Sequence, residues 1–422
     1  MAKLPLGNSR GTDRAIAVLD IGTSKVAALI ARIGDDGVPV VIGTGQKPCH
    51  GVTNGLVTHF ERTEAAVRGA MDQAERAAGM QAGFVYGSIS AGNLVSGLVH
   101  AEIDIAGASI TSADMDALRL AARAQIQPGT ATVVHAKPAL YSLDGQAAVE
   151  TPIGFHADRL AIDVHVVTAD TPPLKNLDRA VKQAHLGLRT LVASPLAASL
   201  STLDREEREL GVALVEIGAG VTTVAVHSFG ILVGVASIPM GAADITADIA
   251  STFATRIADA ERIKVLEGAA VAVSKDHSDL IDLPPINDEG PGDPMRVTRA
   301  QLIAVIRQRL QILFSEVEEK LKLLGFTGPR ARQIVLSGGG AELRGIADLA
   351  QGVLGRNVRV GRPGGLIGLP QAQSGPAYAT LAGLVLFAAA EEPDIWHNAP
   401  NSRAGPERTG IFSALNRLIR NF

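Results

Sequence analysis

Two short segments share one pattern of residue types. VLDIGTSKVAALIA runs from Val18 to Ala31, and LVEIGAGVTTVAV from Leu214 to Val226. Each is an apolar run, an acidic residue, an Ile-Gly step, a small or hydroxyl residue, and a second apolar run. The acids, Asp20 and Glu216, lie 196 positions apart. A glycine-bearing turn between two strands lets backbone N–H groups approach an anion closely. A carboxylate at the strand end cannot take phosphate, but it can hold Mg²⁺ or its waters, and Mg²⁺ binds phosphate. One such hairpin says little. Two, this far apart, predict duplicated halves closing on one nucleotide from opposite sides.

A third segment fits the same chemistry. Residues 334–341 read IVLSGGGA, a β-branched strand running into Gly338, Gly339 and Gly340, and AELRGIADLA after it reads as helix. Strand, glycine turn and helix start allow close approach of backbone to a ligand, although the string alone also suits an ordinary tight turn. Three unrelated turns in an α/β protein is the plain alternative, and the repeated acid-Ile-Gly step argues against it.

These segments need elements to hold them. At 422 residues the chain exceeds one usual core, so two or more domains are expected. It is 46% hydrophobic but only 3% aromatic, which calls for a core of Ala, Val, Leu and Ile. The net charge of −4 leaves no electrostatic footprint for nucleic acid. A single cysteine, Cys49, excludes a disulfide framework and reads as a small, semi-buried residue. No apolar run approaches the ~20 residues of a membrane-spanning helix, and MAKLPLGNSRGTDR lacks the apolar stretch of a signal peptide. A cytosolic protein with peripheral membrane contact at most is expected.

After a flexible extension over residues 1–13, strands are expected at 15–19, 26–33 and 38–44, then a helix at 62–78. Residues 84–167 read as a separate β-α-β-β insert that opens with FVYGSIS and carries no phosphate motif. Within it Thr111 is placed to cap the helix SADMDALRLAARAQI. Helices at 171–185 and 195–203 rejoin the first fold, DREEREL is a charged boundary, and the second half starts at Gly211. Residues 282–294 read as a surface loop. Thr298 starts a long helix to about Leu324, whose Leu302, Ile306, Leu310, Leu313, Val317 and Leu321 share a packed face. Residues 375–389 form a nearly all-apolar helix, too short to span a bilayer, that is expected to cross beneath the first domain. Residues 391–409 read as a linker.

The final GIFSALNRLIRNF is amphipathic. Steps of 100° place Ile411, Phe412, Leu415, Leu418, Ile419 and Phe422 within an arc of about 120°. Arg417 and Arg420 fall on the other side with Ser413, Asn416 and Asn421, and no acid follows Glu407. This is the pattern of an in-plane membrane helix with cations toward anionic headgroups. The alternative is an amphipathic helix docked on the protein body. One copy would bind a membrane weakly, and many on a polymer firmly.

DIGTSK, EIGAG and LSGGGA, in this order and spacing, resemble the phosphate-1, phosphate-2 and adenosine motifs of the actin/Hsp70/sugar-kinase superfamily. Within it LDIGTSKVAALIA, DREERELGVALVEIG, DAERIKVLEG and the last helix resemble the FtsA family of bacterial cell-division proteins, from about Arg14 to Phe422. The resemblance implies an α/β, duplicated, actin-like (ribonuclease H-like) two-lobe ATPase fold with the inserted subdomain and a C-terminal amphipathic helix. On that frame 14–83, 168–204 and 366–390 form subdomain 1A, 84–167 the insert 1C, 205–245 and 300–365 subdomain 2A, 246–299 subdomain 2B, and 410–422 the membrane-targeting helix.

The implied ligands are ATP and Mg²⁺. Asp20 would lie near Mg²⁺ and its waters, with Gly22, Thr23 and Ser24 cradling phosphate oxygens. Lys25 is either a phosphate-facing cation or a solvated strand-end lysine. Glu216, Gly218, Ala219 and Gly220 would form the opposing clamp, and Gly338, Gly339 and Gly340 would approach adenine and ribose. Glu261 and Lys264 match a ribose-contacting pair, but their i, i+3 spacing equally suits a surface ion pair. Two departures weaken hydrolysis: Glu216 stands where the family has Asp, and Val221 where it commonly has a water-positioning Thr, leaving Thr222 as the nearest hydroxyl. The implied role is a non-enzymatic tether of the FtsZ ring at the cytoplasmic face of the inner membrane. Its partners would be FtsZ, further copies of itself in an actin-like filament, later division proteins and an anionic membrane surface. A sugar kinase or a pilus-assembly ATPase of the same superfold is the alternative; a kinase needs an interdomain general base and has no use for the terminal helix.

Overall fold

The computed structural model describes residues 14–34, 36–146, 149–284, 295–390 and 394–397. In it the first acid-Ile-Gly segment is a hairpin of β1 (Arg14–Ile21) and β2 (Lys25–Ile33). Both strands are buried on two faces, which is why they read as near-continuous apolar runs. β3 (Pro39–Pro48) extends the sheet, and the two-residue strands β4 (Val52–Thr53) and β5 (Leu56–Val57) close on Asn54 and Gly55. α1 (Phe60–Ala78) packs on β2 and β3. β6 (Phe84–Ile89) then lies parallel beside β1.

The insert follows: β7 (Val95–Asp104), α2 (Ser112–Gln125), β8 (Ala131–Leu143) and β9 (Arg159–Asp170). Thr111 caps α2 as expected, in a reciprocal capping box with Asp114. α2 packs on β7 and β9 over a core of its own that includes Met115, Leu118, Leu160 and Ile162. α3 (Thr171–Gln183) and β10 (Gly187–Ala193) return to the first lobe and complete the sheet order β10-β6-β1-β2-β3.

α4 (Ser194–Thr202) and α5 (Arg205–Leu210) lead into the second lobe. There β11 (Val212–Ile217), β12 (Thr222–Ser228) and β13 (Ile231–Ile238) form the second hairpin and its neighbour. α6 (Ala242–Thr252), α7 (Ile257–Glu267) and the ribbon of β14 (Leu280–Leu283) and β15 (Met295–Thr298) follow. α8 (Arg299–Leu323) is the expected long helix, capped by Thr298 with Gln301, and all six residues of its proposed face are buried. β16 (Gln333–Ser337), α9 (Ile346–Leu354) and β17 (Asn357–Val360) finish the lobe. Its strands run β17-β16-β11-β12-β13, the order of the first lobe repeated, and β13 continues into β7-β9-β8 of the insert.

α10 (Ala379–Ala390) packs on β1 of the first sheet, α4 packs on β11 and β12 of the second, and the two helices cross between them. An apolar helix with no polar face belongs in such a position. Among the described residues no helix is long and apolar enough to cross a membrane.

The structure corrects two boundaries. FVYGSIS was expected to open the insert, yet β6 lies between β1 and β10 in the first lobe's sheet, so the insert starts after it. A buried strand carries no mark of which sheet it will join. The linker expected over 391–409 is also docked where it is described. Ile395 is buried in the core of the insert, its N–H donates to Ala136 O (2.8 Å), and Asp394 Oδ2 accepts from Ala136 N (3.2 Å). Arg123 lies 5.1 Å from the Trp396 ring centre. One aliphatic and one aromatic side chain are enough to anchor an otherwise polar stretch.

The helix crossing generates a test. A Cβ on Gly383 would lie 1.7 Å from Ala197 O and 2.3 Å from Ala197 C. Gly383→Ala gains ~1 kcal/mol of helix propensity, but overpacking against rigid backbone costs ~1–3 kcal/mol or more. Chemical denaturation should therefore show a net loss of stability. A variant as stable as the parent would contradict the crossing.

Candidate functional site

The two hairpins repeat each other in register. Asp20 pairs with Ala27 and Ile21 with Val26; Glu216 pairs with Thr223 and Ile217 with Thr222. Gly22 N donates to Lys25 O at 3.0 Å, and Gly218 N to Val221 O at 2.9 Å, so the same bond closes each turn. The turns meet across the gap between the lobes. A Cβ on Gly220 would lie 2.9 Å from Thr23 Oγ1 and 2.9 Å from Asn54 Cα. The Asn54-Gly55 turn touches both, for Gly55 N donates to Thr23 Oγ1 at 3.0 Å. Both residues have positive φ, as such a two-residue hairpin turn needs.

Beneath the turns stand the two carboxylates. Asp20 accepts from Ser88 Oγ at 2.5 Å, and burial pushes its pKa up against the opposing effects of Ser88 and Lys25. Glu216 Oε2 accepts from Thr223 Oγ1 at 2.9 Å, and Oε1 accepts from the Thr380 hydroxyl of α10. Its pKa is also raised, first by burial and further by the charge on Asp20, while the bond from Thr380 opposes both. Two half-buried like charges that feel each other are relieved by a divalent cation. The donor set therefore fits a hard metal ion carried by phosphate.

The third segment arrives from β16. Gly338 has φ +80°, and a Cβ there would lie 2.4 Å from Ile217 O; one on Gly340 would lie 2.3 Å from Ile217 Cγ2. Both glycines are buried and let the turn sit against β11. Gly339 differs. It is exposed, and the nearest atom to its Cβ position is Ala377 Cβ at 3.8 Å. Of the three, only Gly339 offers open backbone to a ligand.

Other expected residues are placed more specifically than the sequence allowed. Lys25 Nζ sits 3.4 Å from the ring centre of Tyr378, beside Asp20, so it is held by a cation–π contact and is not merely solvated. Ser24 is exposed at the turn tip. Lys264 is buried and donates to Glu261 Oε2 (2.7 Å), Thr246 Oγ1 (2.8 Å) and Ala242 O (3.0 Å). Glu261 and Lys264 form an i, i+3 ion pair with the lysine buried, and it braces α6, whose Ala242 and Ala243 amides donate to the Gly218 and Ala219 carbonyls. Thr222 does not replace the hydroxyl missing at Val221. It is fully buried and donates to Met240 O at 2.8 Å.

Four participants went unread in the sequence: Ser88, Thr380, Tyr378 and Asn54. A signal existed for the first. Ser88, next to last in β6, lies beside Asp20 as Ser337 at the end of β16 lies beside Glu216, so the internal repeat extends one strand further than the hairpins. The other three act through space and leave no local pattern. Ile411, Phe412, Leu415, Arg417, Leu418, Ile419, Arg420 and Phe422 lie outside the described residues.

The glycines give a prediction with two arms. Gly340→Ala should destabilise the fold by ~1–3 kcal/mol through the clash with Ile217. Gly339→Trp should leave the thermal midpoint nearly unchanged, because its side chain has open space, yet abolish nucleotide binding measured by equilibrium dialysis. A folded Gly339→Trp variant that binds nucleotide normally would remove this turn from the site.

Comparison with known proteins agrees with this geometry. Residues 213–383 match the family model for cell division protein FtsA, and residues 92–168 match that for the SHS2 domain inserted in FtsA. The chain is 36% identical over 421 residues to the cell division protein FtsA of Rhizobium meliloti, covering 97% of this chain and 93% of the relative. It is 34% identical to those of Agrobacterium fabrum (96% and 93% covered) and Escherichia coli (90% and 91%). Among solved structures, the PilM-PilN type IV pilus biogenesis complex superposes with TM-score 0.63 at 19% identity, over 90% of this chain and 99% of that one. MreB5 of Spiroplasma citri bound to ADP gives 0.54 at 15% identity, over 89% and 96%. These likenesses establish an actin-like fold.

Proposed function

Because the chain belongs to the FtsA family of cell division proteins, we propose that this actin-like protein binds Mg·ATP in the interlobe cleft and tethers FtsZ to the cytoplasmic face of the inner membrane at the division site. The observation that carries the nucleotide reading is the pair of acid-bearing turns meeting in register across the lobes. The backbone of Gly22, Thr23 and Ser24 on one side, and of Gly218, Ala219 and Gly220 on the other, would bracket the phosphates. Asp20 and Glu216 would hold Mg²⁺, directly or through its waters, and the ion would neutralise phosphate charge. Gly339 leaves room for the base and ribose.

ATP acts here as a structural and assembly ligand. Both Glu216 oxygens are engaged by threonine hydroxyls, Val221 offers no hydroxyl, and Thr222 points into the core. Turnover within the ~1–10³ s⁻¹ of ordinary enzymes would overturn this part of the reading.

Partner contacts fall elsewhere. The insert has a core of its own and carries no phosphate motif, which suits it to contacts with copies of the chain or with later division proteins. Around α7 and the loop after it, Ile257, Val265, Leu266, Val271 and Val273 expose apolar side chains, as interaction surfaces do. The terminal segment supplies the membrane contact through the apolar arc of Phe412 and Leu418.

Co-sedimentation with anionic liposomes in the presence of Mg·ATP and FtsZ tests the tether. The full chain should carry FtsZ into the pellet. Phe412→Glu should abolish this, because burying a carboxylate among acyl chains costs several kcal/mol. Arg417→Ala should weaken binding only mildly and reduce its salt sensitivity. If Phe412→Glu lowers thermal stability in lipid-free buffer but leaves liposome binding intact, the helix is a core element and the tether fails.

A further inference from the structure

Three histidines that no phosphate motif involves converge where the insert meets both lobes. His135 on β8, His165 on β9 and His227 on β12 are each at least 96% buried and line one pocket of about 300 Å³. Leu196 and Leu200 of the interlobe helix α4, with Ile231 and Leu232 of β13, supply its apolar wall. Nothing in the cleft chemistry accounts for them.

Their nitrogens are the informative part. Both ring nitrogens of His227 and Nε2 of His165 have no hydrogen-bond partner among the described residues. His135 is half satisfied: its Nε2 accepts from Ala193 N at 3.0 Å, while its Nδ1 stands 3.8 Å from Asp394 Oδ2, beyond hydrogen-bond reach. Buried polar atoms are nearly always paired, and an orphan costs ~1–3 kcal/mol. Four unpartnered ring nitrogens in one pocket, counting His135 Nδ1, mark a place able to donate hydrogen bonds to something else.

The charge around them selects its sign. Lys137 faces His165 across the β8–β9 pair, with its Nζ 4.3 Å from the Phe387 ring centre. Arg208 of α5 stands at the His227 side, close enough to depress its basicity. Among the described residues that line the pocket none is acidic. A cation is disfavoured there, and among the described residues no group of three His, Cys, Asp or Glu side chains is placed to hold a metal ion. We propose that this pocket binds a small oxyanion of the phosphate type, held by His165, His227 and Arg208, at a junction of the insert, the second lobe and the interlobe helix α4.

The imidazoles suit that role as neutral groups. Burial pushes the pKa of His165 and of His227 down to about 3, with His135 adding to the shift on His165 and Arg208 to that on His227. Each neutral ring carries one N–H donor. Joined to a guanidinium, two such donors make a site strong enough for a dianion yet cheap to leave empty of charge. Because its walls come from the insert, the second lobe and the helix α4 between the lobes, a bound anion would favour one setting of the insert against the second lobe.

Isothermal titration of the full chain, saturated with Mg·ADP to keep the cleft occupied, tests this with inorganic phosphate as the probe. Saturable binding is expected, weakened at least tenfold by Arg208→Gln and lost in His227→Leu. Replacing an unpaired imidazole with leucine should leave the thermal midpoint unchanged or raised, so loss of binding will not reflect unfolding, and His165→Leu provides a second check. Glycerol 3-phosphate in a parallel titration separates the sources: tighter binding than inorganic phosphate identifies a phosphomonoester as occupant, and equal or weaker binding identifies the free ion. ADP affinity should be the same in all variants, which keeps the result independent of the nucleotide reading. Absence of saturable phosphate binding, or equal binding in parent, Arg208→Gln and His227→Leu, would overturn the proposal.

Discussion

The separation of the two hairpins is set by how closely α4 and α10 cross. α10 carries the first sheet and α4 the second, so the distance between these helices is the distance between the lobes. Gly383 permits backbone contact with Ala197, and Ser201 Oγ donates to Ala379 O at 2.7 Å across the same junction. One residue along α10, Thr380 donates to Glu216 beneath the second turn. A helix that is apolar all round can be placed here only because both of its sides are covered. The fold pays once for this tight crossing, in glycine's conformational entropy, and the cleft geometry follows from it.

With the lobes so placed, two sequence repeats become one site. Each hairpin alone is a strand pair with a tight turn. Facing one another they bring together two sets of turn amides and two carboxylates whose burial and mutual repulsion disfavour charge. The same physics that makes this arrangement uncomfortable without a ligand makes it suited to a cation–phosphate pair. Glu216 reaches α10 directly, where its carboxylate accepts from Thr380. That bond ties the second lobe to the interlobe helix.

The hairpins were legible in the sequence because they combine residue types that are rare in strands: an acid at the end, then glycine. Helix starts at Thr111 and Thr298 were legible for a similar reason, since a cap is a local hydrogen bond between residues three apart. What could not be read was anything fixed by partners distant in the chain. β6 has the composition of a buried strand and carries no mark that it pairs with β1, which also leaves Ser88 without a local signal of its place beside Asp20. Ile395 and Trp396 sit in a polar stretch whose docking depends on a groove supplied by the insert. His135, His165 and His227 come together only because β8, β9 and β12 do.

Hydrogen–deuterium exchange with and without Mg·ATP measures the central claim most directly, because it reads the backbone amides that are supposed to bracket one ligand. The account predicts simultaneous protection of residues 21–25, 217–221 and 338–341 on addition of Mg·ATP, with the insert core at β8 and β9 little changed. Protection of only one hairpin, or of neither, would contradict a single nucleotide held between duplicated halves.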